Sequence, residues 1–314
     1  MPFEHKDPAL KLYLFNNRLQ HVPGAIFNLE FLTVLSLRGN ELKELPPAIS
    51  KLKNLTQLNV AQNALRYLPA ELLDLILTSD KLENLALFPN PFYRPDEGAT
   101  LDGDRVLVAD EANIYSSFGS GGLLRGNILA RTPVQFSDTT GKIYSLFAID
   151  PDSDQLQTES LFEDAEMPSR PPFRSSAPSL PVEEHSRVPS LLEVALQACY
   201  RAPHISELPH LLPETAPPHL FRLLQRTHMQ RETGGLKCSV CKRRLVQPRA
   251  EWIEWWELKH PVKSSEGAGD QVVFKPMYQN ETERAIPFIR RGCSWKCVPR
   301  KFFEAPPAAQ EMAE

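Results

Sequence analysis

Four of the five cysteines form two close pairs near the C-terminus, and they are the residues of this chain best suited to chemistry. Two residues separate Cys238 from Cys241, and three separate Cys293 from Cys297. Two pairs of thiolates brought together from separate loops form the tetrahedral site that zinc prefers. The pattern therefore predicts one structural zinc ion with four sulfur ligands and no open position for catalysis.

Other uses of these cysteines stay open at this stage. A redox C-x-x-C motif is disfavoured because Cys238 does not follow a βαβ pattern. Unlinked buried cysteines are a second alternative, and His228 or His260 could replace one sulfur ligand. A disulfide is disfavoured, since the N-terminal residues lack the features of a signal peptide and the cytosol keeps thiols reduced.

Residues 233–304 form a basic, tryptophan-rich module around the paired cysteines. This module resembles zinc-ribbon-like folds in having two cysteine pairs, although the long segment 242–292 and the three-residue second gap depart from their usual C-x2-C spacing. We expect a small α+β module whose aromatic core needs the metal in order to fold. The tryptophans of the chain all lie in it, and they are Trp252, Trp255, Trp256 and Trp295.

A helical segment, residues 188–232, leads into this module, and the Gly234-Gly235 pair ends it. Ser190 is placed to cap the first helix. The residues expected on the buried face of that helix are Leu191, Val194, Ala195 and Ala198. A second apolar set at helical spacing consists of Leu220, Leu223, Leu224 and Thr227.

Residues 9–95 contain a repeat marked by Asn17, Asn40, Asn63 and Asn90, at intervals of 23, 23 and 27 residues. Apolar residues alternate before each asparagine, which predicts a short strand with one face inward. Each asparagine side chain can bond the backbone at the turn that leaves the strand, in a ladder from repeat to repeat. After each asparagine comes a segment in which apolar residues recur three positions apart. This spacing predicts a short helical turn on the outer side of each repeat.

This L-x-x-L-x-L-x-x-N-x-L frame resembles the leucine-rich repeats of intracellular proteins, of the 23-residue type and similar to fungal ones. The resemblance implies an α/β fold, with a short solenoid over residues 1–95 that binds a protein partner on its concave face. No single repeat buries its own apolar face, so stability comes from stacked neighbours. Because only eight residues precede the first repeat, we expect either that another segment or a partner covers that end or that an upstream part of the protein is missing from this sequence.

The predicted partner-binding residues occupy the strand positions that point away from the leucines. Tyr13, Phe15, Arg38 and Phe88 are the strongest candidates, because aromatic residues and arginine are enriched at interface hot spots. The full set is Lys11, Tyr13, Phe15, Val34, Ser36, Arg38, Gln57, Asn59, Asn84 and Phe88, together with the small residues Ala61 and Ala86.

Residues 96–187 are predicted to be an irregular, acidic and proline-rich linker. They carry 16 acidic and 7 basic side chains, a net charge of −9, whereas residues 219–303 carry a net charge of +9. Residues 150–166 contain seven acids and no lysine or arginine. Such a composition buries too little apolar surface to fold, so residues 150–187 are interpreted as disordered. Residues 305–314 form a tail.

The function predicted from these features is that of a non-enzymatic intracellular adaptor or scaffold, in which the zinc module supplies a second contact. The sequence has no serine-centred elbow, phosphate loop or H-E-x-x-H motif, and we expect no small-molecule substrate. No apolar run approaches the roughly 20 residues of a membrane span. The expected location is the cytoplasm, with the nucleus as the alternative.

Two alternative functions depend on other segments. The basic runs Lys242-Arg243-Arg244 and Arg290-Arg291 flank the cysteine pairs, and with the tryptophans they would suit a nucleic-acid surface. Plain solvated charge, or a dock for the acidic linker, would fit these runs equally well. The stretch Arg-Thr-Pro-Val-Gln-Phe at residues 131–136 approaches the docking peptide of protein phosphatase 1, which would suit a phosphatase-regulatory subunit.

Overall fold

The computed structural model of the protein describes residues 8–95, 107–108, 123–145, 147–149, 189–263 and 272–299. The interpretations of residues 150–187 and 305–314 concern positions outside these ranges. The strands are β1 (Leu10–Tyr13), β2 (Leu32–Ser36), β3 (Gln57–Asn59), β4 (Leu68–Pro69), β5 (Asn84–Ala86), β6 (Leu107–Val108), β7 (Arg125–Arg131), β8 (Gln135–Phe136), β9 (Leu236–Lys237), β10 (Arg244–Leu245), β11 (Ala250–Lys263), β12 (Val272–Pro276) and β13 (Ile286–Gly292). The α-helices are α1 (Ala70–Thr78), α2 (Leu191–Arg201), α3 (Leu208–Leu211), α4 (Pro218–Thr233) and α5 (Glu281–Arg284).

The repeats form a parallel sheet with one strand from each repeat, in the order β1-β2-β3-β5. Leu35 pairs with Leu12 on one side and with Leu58 on the other, so the leucines of successive repeats lie in register. Short 3-10 helices at Gly24–Asn28 and Pro47–Lys51 form the outer side of the first two repeats, as predicted. The longer third repeat forms α1 there instead.

The asparagine ladder that the sequence predicts is present. Asn40 Oδ1 accepts the backbone N–H groups of Asn17 and Leu19, both at 3.0 Å. Its Nδ2 donates at 2.8 Å to two carbonyl oxygens, one in its own repeat and one in the repeat before it. Asn63 and Asn90 make the same kinds of bonds. The side chains thus satisfy backbone groups that the turns would otherwise leave unpaired.

A second sheet of seven strands is built around β11, the longest strand. Its path is β4-β13-β11-β7-β6, and both β8 and β12 also pair with β11. β4 belongs to the repeats, and it pairs in parallel with β13 from the C-terminal region, where Leu68 lies opposite Phe288. The two regions are therefore joined by backbone hydrogen bonds.

One hydrophobic core spans the repeats and the second sheet. Trp256, Leu258, Ile286 and Phe288 are buried in the same cluster as the leucines of the repeats. At the last repeat, Tyr278 donates a hydrogen bond of 2.8 Å to the Leu85 carbonyl of the outermost strand. Residues 1–95 and 233–304, which the sequence predicts to be separate domains, therefore share one hydrophobic cluster and a pair of strands.

Within the segment 96–187, which the sequence predicts to be an irregular linker, the described residues include strands of the second sheet. β7 pairs along the middle of β11, and β8 pairs with its first residues. The hydroxyl group of Thr132 accepts the backbone N–H of Ile253, 121 positions later in the chain, at 3.1 Å. These short strands lack a strong pattern of their own because β11 supplies most of their contacts.

The helices α2 and α4 pack against each other, and α4 also contacts the 3-10 helix Gly24–Asn28 of the first repeat. Ser190 caps α2 as predicted, and its hydroxyl accepts the Glu193 N–H. The predicted buried face of α2 is wrong: Leu191 and Val194 are exposed, and Leu196 is the buried residue of this helix. Gly234 ends α4 in the left-handed conformation. No helix in the described parts of the chain is long and apolar enough to cross a membrane.

Candidate metal centre and partner-binding face

The four paired cysteines come together in one cluster. All four sulfur atoms lie within 4.8 Å of one another, with 3.5 Å between Cys241 and Cys293 and 3.7 Å between Cys293 and Cys297. Four sulfurs placed 2.3 Å from a central zinc at tetrahedral angles would be about 3.8 Å apart. All are free thiols, so no disulfide competes for them. The cluster could hold a metal ion, and its donor set and spacing fit zinc.

A tight hairpin positions the first pair. Lys242 has the positive φ of 60° that turns the chain after Cys241. The Cys238 N–H donates to the Arg243 carbonyl at 2.7 Å, and the Lys242 N–H donates to the Cys238 carbonyl at 2.9 Å. β9 and β10 close the hairpin on either side. The backbone thereby holds both sulfurs of this pair on the same side of the turn.

The second pair follows β13 and is tied to the first by backbone contacts. The Ser239 N–H donates to the Arg291 carbonyl at 2.8 Å, and the Arg291 N–H donates to the Ser239 hydroxyl at 3.0 Å. A 3-10 turn at Trp295–Cys297 takes up the extra residue between Cys293 and Cys297. The three-residue spacing is therefore compatible with the cluster.

The thiol groups of the cluster do not have the same pKa, because they share hydrogen bonds. The thiol of Cys293 donates to Cys238 and lowers the pKa of Cys238 to about 4, even though burial opposes the charge. The same contact raises the pKa of Cys293, and burial raises the pKa of Cys297. Hydrogen bonds from neighbouring thiols therefore favour a thiolate within the cluster.

Neither histidine that could have replaced a sulfur belongs to this cluster. His260 lies on β11 opposite Lys275, and His228 lies on α4 beside Glu232. In the described residues, the potential metal-binding group consists of the four cysteines alone.

The predicted partner-binding residues form rows across the parallel sheet. Pairing places Tyr13 beside Ser36, Ser36 beside Asn59, and Asn59 beside Ala86. The neighbouring row consists of Lys11, Val34, Gln57 and Asn84. A shallow cavity of about 280 Å³ runs along both rows. The sheet therefore brings these side chains together on one face.

Three of the predicted partner-binding positions are not free surface. Val34 and Ala61 are only 7% and 5% exposed. Phe88 packs edge-on against Phe92 and Tyr278, with ring centroids 5.2 Å and 4.9 Å away. By contrast, Tyr13 and Phe15 are 55% and 56% exposed. The accessible aromatic side chains thus lie at the first repeat.

The Arg290-Arg291 pair is structural rather than a charged surface. Arg291 Nε donates to Glu251 at 3.0 Å, and its Nη2 lies 3.3 Å from Glu44 of the repeats. Arg290 Nε donates at 2.8 Å to the buried carboxylate of Glu254. The sequence offered no signal for these pairs, since their members are 36 and more residues apart.

Arg291 also affects the pKa of the neighbouring Glu44 carboxyl group. Burial alone would raise the pKa of Glu44, but Arg291 and the Tyr67 hydroxyl together hold it below its usual value. Burial and the nearby carboxylate of Glu44 raise the pKa of Tyr67. An ionic contact therefore braces the second sheet against the repeats.

The stretch proposed as a phosphatase-docking peptide belongs to the second sheet. Gln135 and Phe136 form β8, and Val134 and Phe136 pack on the cluster around Trp252. A docking peptide must be free to extend onto its partner. This stretch is not available for docking in the folded protein.

The family comparison agrees with the geometry of the repeats. Residues 10–65 match the family described as leucine rich repeat, which covers β1 to β3 and ends before α1. The comparison with curated proteins gave no match. The chain therefore contains leucine-rich repeats, a type of repeat that generally serves protein interaction.

Proposed function

We propose that this protein is a non-enzymatic adaptor that holds a protein partner on the parallel sheet of its repeats. The observation that carries the proposal is the continuous face across β1, β2, β3 and β5, which is mostly polar and uncharged, with Lys11 and the exposed aromatic residue Tyr13 on β1. Extended parallel faces of stacked repeats are the usual binding surfaces of such arrays. The cytoplasm is the expected location, with the nucleus as the alternative.

The cysteine cluster takes a structural role in this proposal. A bound zinc ion would be held by Cys238, Cys241, Cys293 and Cys297, and with four thiolates it leaves no open position for a substrate. The hairpin that carries the first pair reaches the repeats, because Lys242 Nζ lies 2.7 Å from the Asp74 carboxylate on α1. The metal would therefore brace the side of the array opposite the binding face, where the module could also supply a second contact.

The test compares partner binding by two variants of the full chain, each lacking exposed aromatic side chains at a different place. Tyr13→Ala/Phe15→Ala removes aromatic surface from the binding face, and Phe31→Ala is the matched control, since its side chain is 53% exposed just before β2. In affinity purification with the full chain as bait, the double variant should lose proteins that the wild type and Phe31→Ala retain. Hot-spot losses of about 2 kcal/mol or more are expected.

Unchanged recovery with the folded double variant would show that the parallel sheet is not the binding face. Equal loss with Phe31→Ala would point instead to general adhesion through exposed aromatic residues. Circular dichroism of each variant separates both results from misfolding.

A further inference from the structure

A cavity of about 280 Å³ lies beside the cysteine cluster, and none of its lining residues belongs to the repeats. Four segments line it: the start of α2, the chain from Arg243 to Arg249, the residues Cys293–Trp295 after β13, and Thr139 after β8. The lining includes the arginines Arg243, Arg244 and Arg249, against one carboxylate, that of Glu193. The cavity is therefore predominantly cationic.

The Glu193 carboxylate is already used by the fold. Its Oε1 accepts the Val246 N–H at 2.8 Å, and its Oε2 accepts the Gln247 N–H at 3.2 Å. Both bonds hold the start of α2 against the chain that follows β10. Arg249 in turn donates to the Ser137 carbonyl at 2.8 Å, which is a neutral acceptor that leaves the guanidinium charge uncompensated by that contact.

Flat aromatic surfaces accompany the arginines. The guanidinium group of Arg244 lies 4.5 Å from the ring centroid of Tyr200, which orients its planar face. Trp295 lines the cavity and contacts Phe136 and Tyr144, with ring centroids 5.5 Å and 5.8 Å away. Tyr144 is 48% exposed, so the aromatic surface continues outside the cavity.

We propose that this cavity binds a nucleotide of a single-stranded nucleic acid. Arginine binds phosphate oxygens in a planar, two-point geometry, and indole and phenol rings stack on bases. The cavity is at the small end of ligand sites and admits one monomer unit at a time. An acidic peptide would satisfy the arginines but would leave the aromatic surface unused, so nucleic acid is the better match.

The experiment measures binding of short fluorescein-labelled single-stranded DNA and RNA to the full chain by fluorescence anisotropy over a range of salt concentrations. Arg243→Gln/Arg244→Gln should weaken binding about tenfold at low salt. It should also reduce the slope of log K against log salt by about 1.4, because each lost phosphate contact removes about 0.7 on single strands. Lys51→Gln/Lys53→Gln makes the same change in net charge at exposed positions of the repeats and should leave binding unchanged.

Zinc content is measured in every preparation, so that a failure of the metal site is distinguished from a failure of the cavity. If the double variant loses metal, Arg243→Gln alone, at an exposed position next to the hairpin turn, replaces it and should lower the slope by about 0.7. No binding by the metal-containing wild type, or an equal loss in the lysine control, overturns the proposal. Displacement of the oligonucleotide by poly-glutamate at equal charge concentration, with the same dependence on the arginines, would assign the cavity to an acidic protein instead.

Discussion

The repeats and the second sheet are stabilised in different ways, although they share one core. In the repeats, each strand pairs with the next repeat along the chain, and the ladder of Asn40, Asn63 and Asn90 spans 21 to 30 residues at a time. In the second sheet, β11 pairs with strands from widely separated parts of the chain, such as β7, which precedes it by more than 100 residues. Contacts between adjacent repeats are therefore visible as a period in the sequence, whereas contacts between distant segments are not.

Removing the metal site should have the largest effect on the stability of both regions. Cys238→Ser/Cys293→Ser should eliminate bound zinc, expected at about one ion per chain in the wild type, and lower the thermal midpoint of both regions. Structural zinc supplies about 10–16 kcal/mol to finger peptides at pH 7, so this effect should exceed any single side-chain change. Metal analysis and thermal unfolding are the measurements.

Cys199→Ser is the matched control for that variant, because Cys199 is a half-buried free thiol outside the cluster. It should retain the metal. Metal-free wild-type protein whose tryptophan fluorescence does not respond to a chelator would end the zinc hypothesis.

The shared core is tested by Trp256→Ala. Trp256 is 4% exposed and packs with the leucines of the repeats. Its removal should cost about 3–5 kcal/mol and speed hydrogen exchange in β2 and β3 as well as in β11. Phe31→Ala, at an exposed aromatic position, should do neither. Exchange that changes in β11 but not in the repeats would mean that the two regions unfold independently.

The ladder is tested within the repeats by Asn40→Ala against Asn17→Ala. Asn40 is buried and bonded on both sides, so its loss leaves backbone groups unpaired and should cost about 1–3 kcal/mol. Asn17 lies at the exposed end of the ladder, and its side chain donates to the Phe15 carbonyl. Denaturant unfolding should show a clearly smaller loss for Asn17→Ala, and equal losses would contradict the position dependence of the ladder.

The smallest expected effect is a pH dependence in the second sheet. Burial would raise the pKa of Glu257, but Arg284 and Lys259 outweigh it and lower the pKa. A lowered folded pKa stabilises the protein above the unfolded value of about 4.3, and that contribution is lost as pH falls through the folded pKa. Glu257→Gln should remove this part of the acid dependence, because the amide does not titrate.

Glu30→Gln, at an exposed position of the repeats, is the control for the carboxylate. Its unfolding profile from pH 3 to pH 7 should follow the wild type. An acid limb that is the same for Glu257→Gln and the wild type would show that the ion pairs of Glu257 add nothing to stability.

The sequence predicts structural features correctly where the role of a residue depends on its neighbours in the chain. The asparagine spacing predicted the ladder, and the two cysteine spacings predicted a cluster that the fold then brings within 4.8 Å. Gly234 predicted the end of α4, because glycine adopts the left-handed conformation without strain. In each case the local chain supplies the geometry.

Predictions from the sequence were wrong where the burial of a residue depends on a partner that is distant in the chain. Arg291 appeared to be a surface charge, but it is buried and pairs with Glu251 of β11 and Glu44 of the repeats. Leu191 appeared to be a core residue, yet the packing of α2 against α4 leaves it exposed. The same amphipathic spacing allows more than one helical face, and only the neighbouring element selects between them.

The local spacing of the sequence thus specifies the repeats, the asparagine ladder and the four cysteines that cluster. The tertiary structure alone decided that the repeats and the C-terminal region share a core, that β7 and β8 belong to the second sheet, and that arginines and Trp295 line one cavity. The physical reason is the range of the contacts. A repeat records its own neighbours every 23 residues, whereas pairing around β11 joins segments whose separation leaves no period in the chain.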